Sequence, residues 1–222
     1  MGLEQDLADF KAEFELTAPA GRAALYNSKV EELRAKFPLS GVLKVGDLAP
    51  DFSLPNAIGS YTSLEDVLKG GAAVVTFYRG GWCPYCNLQL RAYQAALPDI
   101  EALGARMLAI SPQLPDKSLS TSEKNALKFP VLSDVRNSIA RKFGLVYSLP
   151  EELRAALRSN GKELPGINGD ESWELPVPAT FVVDGDRRVV FSFVEIDYRR
   201  RLAPEDLVSA LRSIAAARES AS

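Results

Sequence analysis

The sequence predicts an α/β fold in which a central mixed sheet is flanked by helices. Short apolar runs rich in β-branched residues alternate with longer amphipathic segments along most of the 222 residues. The last two runs are separated by Gly185-Asp186, which predicts a hairpin and therefore antiparallel strands beside parallel ones. A helical pattern precedes the first buried run and predicts an N-terminal helical extension.

Residues 1–40 are predicted to form this helical extension. Apolar residues recur at three- and four-residue spacing from Leu3 to Phe14, and Pro19-Ala20-Gly21 interrupts the pattern before it resumes. Pro38 ends the helical character. We expect the extension to cover the core or to make a dimer contact.

Residues 42–217 are predicted to form the α/β domain, with an insertion at about 146–175. Its elements are identified from apolar periodicity and from Gly and Pro breaks. The predicted order is a helix at 63–68 capped by Ser63, a strand at 72–78, a helix at 84–103, a strand at 107–112, a helix at 120–128, a strand at 131–133, a helix at 137–143, the insertion with a helix at 150–158 and otherwise loop, strands at 179–184 and 188–193, and a helix at 204–217.

The census of reactive residues excludes several classes of site. The chain has no histidine and two cysteines, Cys83 and Cys86. Without histidine it cannot use a Ser-His or Cys-His hydrolase mechanism or a His-ligated metal. Two thiols alone cannot complete a four-ligand zinc site. We therefore expect no metal and no cofactor.

The charge balance gives no sign of a nucleic-acid partner. Lys and Arg total 26 against 29 Asp and Glu, a formal charge of −3. The cluster Arg199-Arg200-Arg201 stands beside Glu195 and Asp197 and is interpreted as a solvated, salt-bridged surface. A local site for an anion or a partner is the alternative.

The chain termini and apolar runs give no targeting signal. The first residues lack a basic and an apolar region of the secretory type, and no run approaches the roughly 20 apolar residues of a membrane helix. The sequence therefore predicts a cytoplasmic protein with no membrane partner. In that compartment a disulfide is more often catalytic than structural.

The motif Cys83-Pro84-Tyr85-Cys86 stands where a predicted buried strand passes into a helix. The first turn of a helix has unpaired N–H groups and a positive dipole end, which favour a thiolate. Positions i and i+3 share a helix face, so the two sulfurs can meet, and Pro84 suits the helix start. Redox chemistry is the favoured interpretation, and two structural cysteines or half of a metal site are the alternatives. Cys83 should be the more exposed nucleophile in dithiol exchange.

Two further residues are associated with this motif. Trp82 flanks the thiols and is expected to pack against the site and shield it. Pro178 opens a late strand, where its missing N–H places it at a strand edge. An ordinary trans bond is the default for Pro178, because cis forms are only about 5–6% of X-Pro bonds.

Taken in order, these segments resemble the alkyl hydroperoxide reductase/thiol-specific antioxidant (AhpC/TSA) superfamily of peroxiredoxin-like proteins with a thioredoxin fold. The resemblance covers about residues 42–215. It is carried by Val45–Leu54, by Phe77–Cys86 at the active-site position, by Val131–Asp134 and Ala140–Leu145 in mid-chain, and by Ala179–Asp184 at the late strand. The N-terminal helices and the 146–175 insertion lie outside it.

The resemblance is less complete at the reactive residues. Peroxiredoxins carry Pro-x-x-x-Thr-x-x-Cys, which aligns the peroxidatic cysteine with Cys86, the threonine with Cys83 and the proline with Arg79. The family arginine before the late strand would fall near Pro178. Arg79 is therefore a candidate replacement that favours the thiolate and polarises a peroxide, with a surface arginine as its alternative interpretation. Similarity of the Cys-x-x-Cys motif to thioredoxin-type reductases implies a cis bond at Pro178.

The resemblance implies a thiol peroxidase that reduces hydroperoxides through a Cys83/Cys86 dithiol–disulfide cycle. Thioredoxin or a similar dithiol would regenerate the pair, and a homodimer is the assembly considered. One alternative is a thioredoxin-like oxidoreductase that reduces disulfide substrates with Cys83 as nucleophile. A second is a redox sensor without enzymatic activity, in which the disulfide changes a partner surface.

Overall fold

A computed structural model describes residues 2–219, with the side chains of the last two of these left out. Helices and strands alternate through most of this range. The helices are α1 (Leu3–Thr17), α2 (Arg22–Lys36), α3 (Leu64–Leu68), α4 (Pro84–Ala102), α5 (Pro115–Lys124), α6 (Ser138–Lys142), α7 (Glu151–Arg158), α8 (Leu164–Asn168) and α9 (Pro204–Glu219). The strands are β1 (Ser53–Pro55), β2 (Tyr61–Ser63), β3 (Ala72–Phe77), β4 (Ala105–Ser111), β5 (Val131–Ser133), β6 (Val146–Ser148), β7 (Glu174–Pro176), β8 (Ala179–Val183) and β9 (Val189–Val194).

The central sheet has five strands in the order β5-β4-β3-β8-β9. β3 runs parallel to β4 and antiparallel to β8, and β9 is antiparallel to β8, so the predicted mixed α/β sheet is confirmed. All six residues of β3 are buried, as expected for a central strand with both faces covered. The Thr76 and Thr180 hydroxyls lie 3.0 Å apart across the β3–β8 pair, which satisfies two buried polar groups.

Alternate residues of β3 enter separate apolar cores on the two faces of the sheet. Val74 belongs to the core that contains both cysteines, whereas Val75 and Phe77 belong to the core on the opposite face. The strand that leads into the cysteine motif is therefore held in place by apolar packing on both of its faces.

The first N-terminal helix, α1, covers the active-site face of this sheet. α1 packs on α4, where Phe10 meets Tyr85 edge to face with ring centroids 5.0 Å apart, and Leu3 and Leu7 are buried in the cysteine-containing core. The break predicted at Pro19-Ala20-Gly21 separates α1 from α2, and Gly21 has a left-handed backbone there. Of the two roles expected for the extension, covering the core is therefore observed.

Several local predictions are confirmed and others need correction. Ser63 caps α3, because its hydroxyl accepts a hydrogen bond of 3.0 Å from the Asp66 N–H. The helix predicted at 120–128 instead spans Pro115–Lys124, because Pro115 supplies the helix start that the apolar pattern missed. The second half of the 146–175 insertion is not all loop: it contains α8 and β7, and β7 pairs antiparallel with β6.

Candidate active site

The two cysteines lie where β3 passes through a short turn into α4. Cys83 is the residue before the helix, and Pro84 begins the helix, where its missing N–H has no consequence. The backbone N–H groups of Cys86 and Asn87 donate to the Cys83 carbonyl at 3.1 and 3.2 Å. The sequence prediction for this junction is confirmed in its local geometry.

The turn before Cys83 has space only for glycine. Gly80 has φ +138°, and an added Cβ would lie far inside contact distance of the Trp82 indole and the Gln113 side chain. A Cβ at Gly81 would overlap the Thr121 hydroxyl. The tight turn brings the residues on either side of it to the sulfurs.

Polar side chains that the sequence analysis missed hold this turn in place. Asn87 donates to the Gly81 carbonyl at 2.8 Å, and Asn125 donates to the Asn87 amide oxygen at 2.9 Å. Gln113 accepts the Gly81 N–H. No pattern in the sequence links these residues, because they come from α4, from the end of α5 and from the segment before α5.

Both sulfurs are buried. Cys83 is 1% exposed and Cys86 is 0% exposed, and both thiols are free. Neither sulfur is open to bulk solvent, because α1, α2 and the insertion close over the start of α4. The two cysteines nevertheless differ in access, since Cys83 lines a cavity that Cys86 does not reach.

Each sulfur has a buried guanidinium beside it. Arg79 Nη1 lies 3.9 Å from Cys83 Sγ, and Arg201 Nη2 lies 3.3 Å from Cys86 Sγ. Arg79 is 5% exposed, which excludes its alternative interpretation as a surface arginine. Its guanidinium stands 4.0 Å from the Tyr198 ring centroid and 5.0 Å from that of Trp82, close enough for cation–π attraction.

Arg201 corrects the interpretation of the basic cluster. Arg199 and Arg200 form ion pairs with Asp197 and Glu195, as a salt-bridged surface would. Arg201 instead turns inward, is 9% exposed and donates to the Tyr198 and Arg200 carbonyls as well as to Cys86. No local pattern predicts this burial, because it depends on the path of the chain between β9 and α9.

The two buried guanidiniums have no carboxylate partners among the side chains of residues 2–217. None of the ion pairs there includes Arg79 or Arg201, and the Nε atom of each is buried without a hydrogen bond. Buried charges require compensation. The thiol pair is the group beside them that can provide it by losing a proton.

The two thiols lose their protons one after the other, and once the first is lost the pair holds one proton and one negative charge. Burial disfavours a thiolate on Cys83, but the hydrogen bond from Cys86 and the charges of Arg79 and Arg201 outweigh it and hold the Cys83 pKa well below its usual value. Burial, together with the neighbouring Cys83, raises the Cys86 pKa well above its usual value. Of the two guanidiniums, Arg201 lies closer to a sulfur, and that sulfur belongs to Cys86. Cys83, however, also accepts hydrogen bonds from Cys86, which favour a negative charge on Cys83. We therefore assign the charge to Cys83.

A cavity of about 310 Å³ leads to Cys83. Its floor is the β3–α4 junction, namely Arg79, Trp82, Cys83 and Pro84, and its roof is the pair of helices α2 and α7. Most of the lining is aromatic or aliphatic, with Tyr26, Val30, Leu33, Tyr85, Tyr147, Leu149, Pro150, Leu153, Leu157, Ile196 and Tyr198. Its charged residues are Lys29, Glu32, Lys36, Arg79 and Lys162.

Pro178 corrects another expectation. No cis peptide bond occurs within residues 2–219, so the Val177–Pro178 bond is trans. The chain runs from β7 into β8 through this residue, with the Val177 N–H donating to Leu145 and the Pro178 carbonyl accepting from Glu195. Both bonds are made in the trans form, which the amide itself favours. Pro178 does not line the cavity.

Neither a metal cluster nor a membrane helix is found in the described part of the chain. No group of three or more Cys, Asp or Glu side chains there could hold a metal ion. None of its helices is long and apolar enough to cross a bilayer.

Comparison with known proteins identifies the family of the chain. Residues 45–192 match the AhpC/TSA family. The Mycobacterium tuberculosis protein MT2597, named as a peroxiredoxin, is 30% identical over 148 residues, which are 67% of this chain and 83% of that protein. Peroxiredoxin Bcp of Escherichia coli K12 is 34% identical over 103 residues, which are 46% of this chain and 65% of that protein.

Solved structures show the same fold. Peroxidoxin BcpB from Mycobacterium tuberculosis superposes with a TM-score of 0.61 at 23% identity, covering 78% of this chain and 98% of that one. PrxQ from Xylella fastidiosa gives a TM-score of 0.62 at 16% identity, with 78% and 98% covered. The predicted thioredoxin-like fold is thereby confirmed. The chain belongs to the AhpC/TSA family and is a peroxiredoxin, a thiol peroxidase.

Proposed function

We propose that this chain reduces hydroperoxides through a Cys83–Cys86 dithiol–disulfide cycle in which Cys83 is the attacking thiolate. One observation carries this assignment: of the two cysteines, Cys83 lines the cavity and Cys86 does not. The family alignment favours Cys86 as the peroxidatic residue, but a peroxide entering by the cavity meets Cys83 first. The pKa of Cys83, held well below its usual value, supports the same choice.

In the first step the Cys83 thiolate attacks the outer oxygen of the hydroperoxide and the O–O bond breaks. Cys83 becomes a sulfenic acid, and the remaining alkoxide or hydroxide takes a proton from solvent and leaves as an alcohol or water. The Arg79 guanidinium, 3.9 Å from the sulfur, can donate to the departing oxygen, where negative charge develops.

In the second step the Cys86 thiol attacks the Cys83 sulfenic sulfur. A disulfide forms and the sulfenic hydroxyl leaves as water with the Cys86 proton. The two residues are one helical turn apart at the start of α4, so the sulfurs meet on one face of the helix. A dithiol reductant, expected from the resemblance to be thioredoxin or a similar molecule, returns the pair to its reduced form.

Single cysteine variants test the assignment. Cys86→Ser should consume one peroxide per chain and accumulate a sulfenic acid detectable by mass spectrometry after dimedone trapping. Cys83→Ser should react no faster than a free thiol. The reverse pattern would return the attacking role to Cys86.

A thiol–disulfide oxidoreductase is the second candidate, because the thiolate at the cavity is the first cysteine of the Cys-x-x-Cys motif. Insulin reduction that depends on Cys83, together with peroxide rates at the free-thiol level in both the native chain and Cys86→Ser, would establish it instead. Absence of both activities would favour the sensor hypothesis.

A further inference from the structure

The cavity reaches Cys83, and both cysteines are otherwise enclosed by the described residues. Cys83 and Cys86 are 1% and 0% exposed, and the roof is joined over them. Lys29 Nζ on α2 lies 2.7 Å from Glu152 Oε1 on α7, and Arg22 Nη1 donates to the Ala156 carbonyl at 2.9 Å. A space of about 310 Å³ admits a small molecule.

The interior of the cavity carries positive charge. Arg79 lies on the floor, and Lys162 Nζ from the insertion stands 5.7 Å from the centroid of the Trp82 ring. Lys162 has no ion pair with a carboxylate within the described residues. The lining contains one carboxylate, Glu32, which is bound to Lys29 on the roof. An anionic group is therefore complementary to the inner end.

This complementarity depends on the redox state of the cysteines. In the reduced protein the thiolate offsets part of the charge of Arg79 and Arg201. Formation of the disulfide removes that negative charge, while both guanidiniums stay protonated. The cavity is thus most attractive to an anion after oxidation, which is the stage at which the reductant must bind. The peroxide, in contrast, binds to the reduced protein, before the disulfide has formed.

We propose that the oxidised pair is reduced by a small anionic dithiol with an apolar body and a carboxylate, bound in this cavity between Lys162 and Arg79. The aliphatic and aromatic walls suit the apolar body, and the two cations suit the carboxylate. The inference rests on the Cys83–Cys86 cycle proposed above and replaces thioredoxin as the reductant.

The disulfide is reduced in two steps of thiol–disulfide exchange. One thiolate of the ligand attacks the Cys83 sulfur, the Cys83–Cys86 bond breaks, and Cys86 leaves as a thiolate beside Arg201. The second thiol of the ligand then attacks the mixed disulfide and releases Cys83 as a thiolate. Two electrons pass from the dithiol to the protein, and the ligand becomes a cyclic disulfide. Of its two protons, one remains on Cys86 and one enters solvent.

Two probes of nearly identical shape test the role of the carboxylate. The full-length protein is oxidised with diamide, freed of reagent and mixed with dihydrolipoate, which is anionic, or dihydrolipoamide, which is neutral. The reappearance of free thiols is measured over time by rapid alkylation and mass spectrometry. Dihydrolipoate should react about 10-fold faster than dihydrolipoamide. Lys162→Gln should reduce this preference to about threefold or less, because the carboxylate of dihydrolipoate then loses one of its two cations.

Lys142→Gln is the matched control, because this lysine is exposed and lies outside the cavity, and it should retain the full preference. Equal rates for the two probes would overturn the proposal. So would faster reduction by thioredoxin than by dihydrolipoate. Because the disulfide is made without peroxide, failure of the peroxidase assignment is recognised separately: peroxide would then leave the thiols reduced while the dihydrolipoate preference persisted.

Discussion

The floor and the roof of the cavity are built in opposite ways. The floor consists of near-consecutive residues at one strand-to-helix junction, held by a glycine turn and buried side-chain hydrogen bonds. The roof consists of α2 and α7, which are distant in sequence and joined partly by one ion pair, Lys29–Glu152. Reactivity and access are therefore controlled by separate parts of the chain. Changes in the floor should alter stability and thiol chemistry, whereas changes in the roof should alter entry.

The largest effect is expected from the turn in the floor. Gly80→Ala places a Cβ against Trp82 and Gln113 at a φ that L-residues rarely adopt. The free energy of unfolding should fall by about 2–4 kcal/mol, measured by urea denaturation. Gly185→Ala in the β8–β9 turn is the control, since nothing lies within 4 Å of its Cβ position, and it should stay within about 1 kcal/mol. If both variants lost the same free energy of unfolding, the requirement for glycine at position 80 would be refuted.

The next effect concerns the two arginines and has a defined pH dependence. The thiolate is the reactive form, so a lowered Cys83 pKa keeps iodoacetamide alkylation fast at pH 7 and slows it only as the solution becomes acidic. Arg79→Gln should raise that pKa and slow alkylation at pH 7 by about 10- to 100-fold. Arg201→Gln should slow it by about threefold, because its charge acts less strongly on Cys83.

Arg200→Gln serves as the control for both arginine variants, since Arg200 is exposed and paired with Glu195. Its alkylation profile should match that of the unmodified chain. A larger effect from Arg201 than from Arg79 would assign the thiolate to Cys86.

The smallest effect is expected at the roof. Glu152→Gln removes the carboxylate that holds Lys29 across the two helices. Alkylation of Cys83 by a bulky maleimide should accelerate by about two- to fivefold, while iodoacetamide should react at its original rate. Glu101→Gln, which removes an exposed ion pair with Arg106 away from the cavity, should change neither rate. Equal acceleration by both reagents would mean that the roof does not limit access.

The parts of the molecule that follow from local sequence were predictable. The buried run that forms β3, the Pro84 helix start and the Cys-x-x-Cys spacing each depend on neighbouring residues, and they located the fold and the sulfurs. Arg201 was misassigned because its contact with Cys86 spans 115 positions. The cis bond expected at Pro178 is not observed. That expectation rested on the similarity of Cys-x-x-Cys to thioredoxin-type reductases, whereas the backbone hydrogen bonds of Val177 and Pro178 are made with a trans bond.

The segment between β9 and α9 has a consequence for how related sequences are compared. Arg201 is fixed there by carbonyls of its own loop, and Tyr93 of α4 donates to the Leu202 carbonyl at 3.2 Å. The position of this loop therefore affects the pKa of Cys83, because it places Arg201 beside the two sulfurs. Two chains with identical Cys-Pro-Tyr-Cys motifs will differ in reactivity when one lacks an inward arginine at this position. A useful sequence signature for this chemistry therefore includes the loop arginine as well as the cysteines.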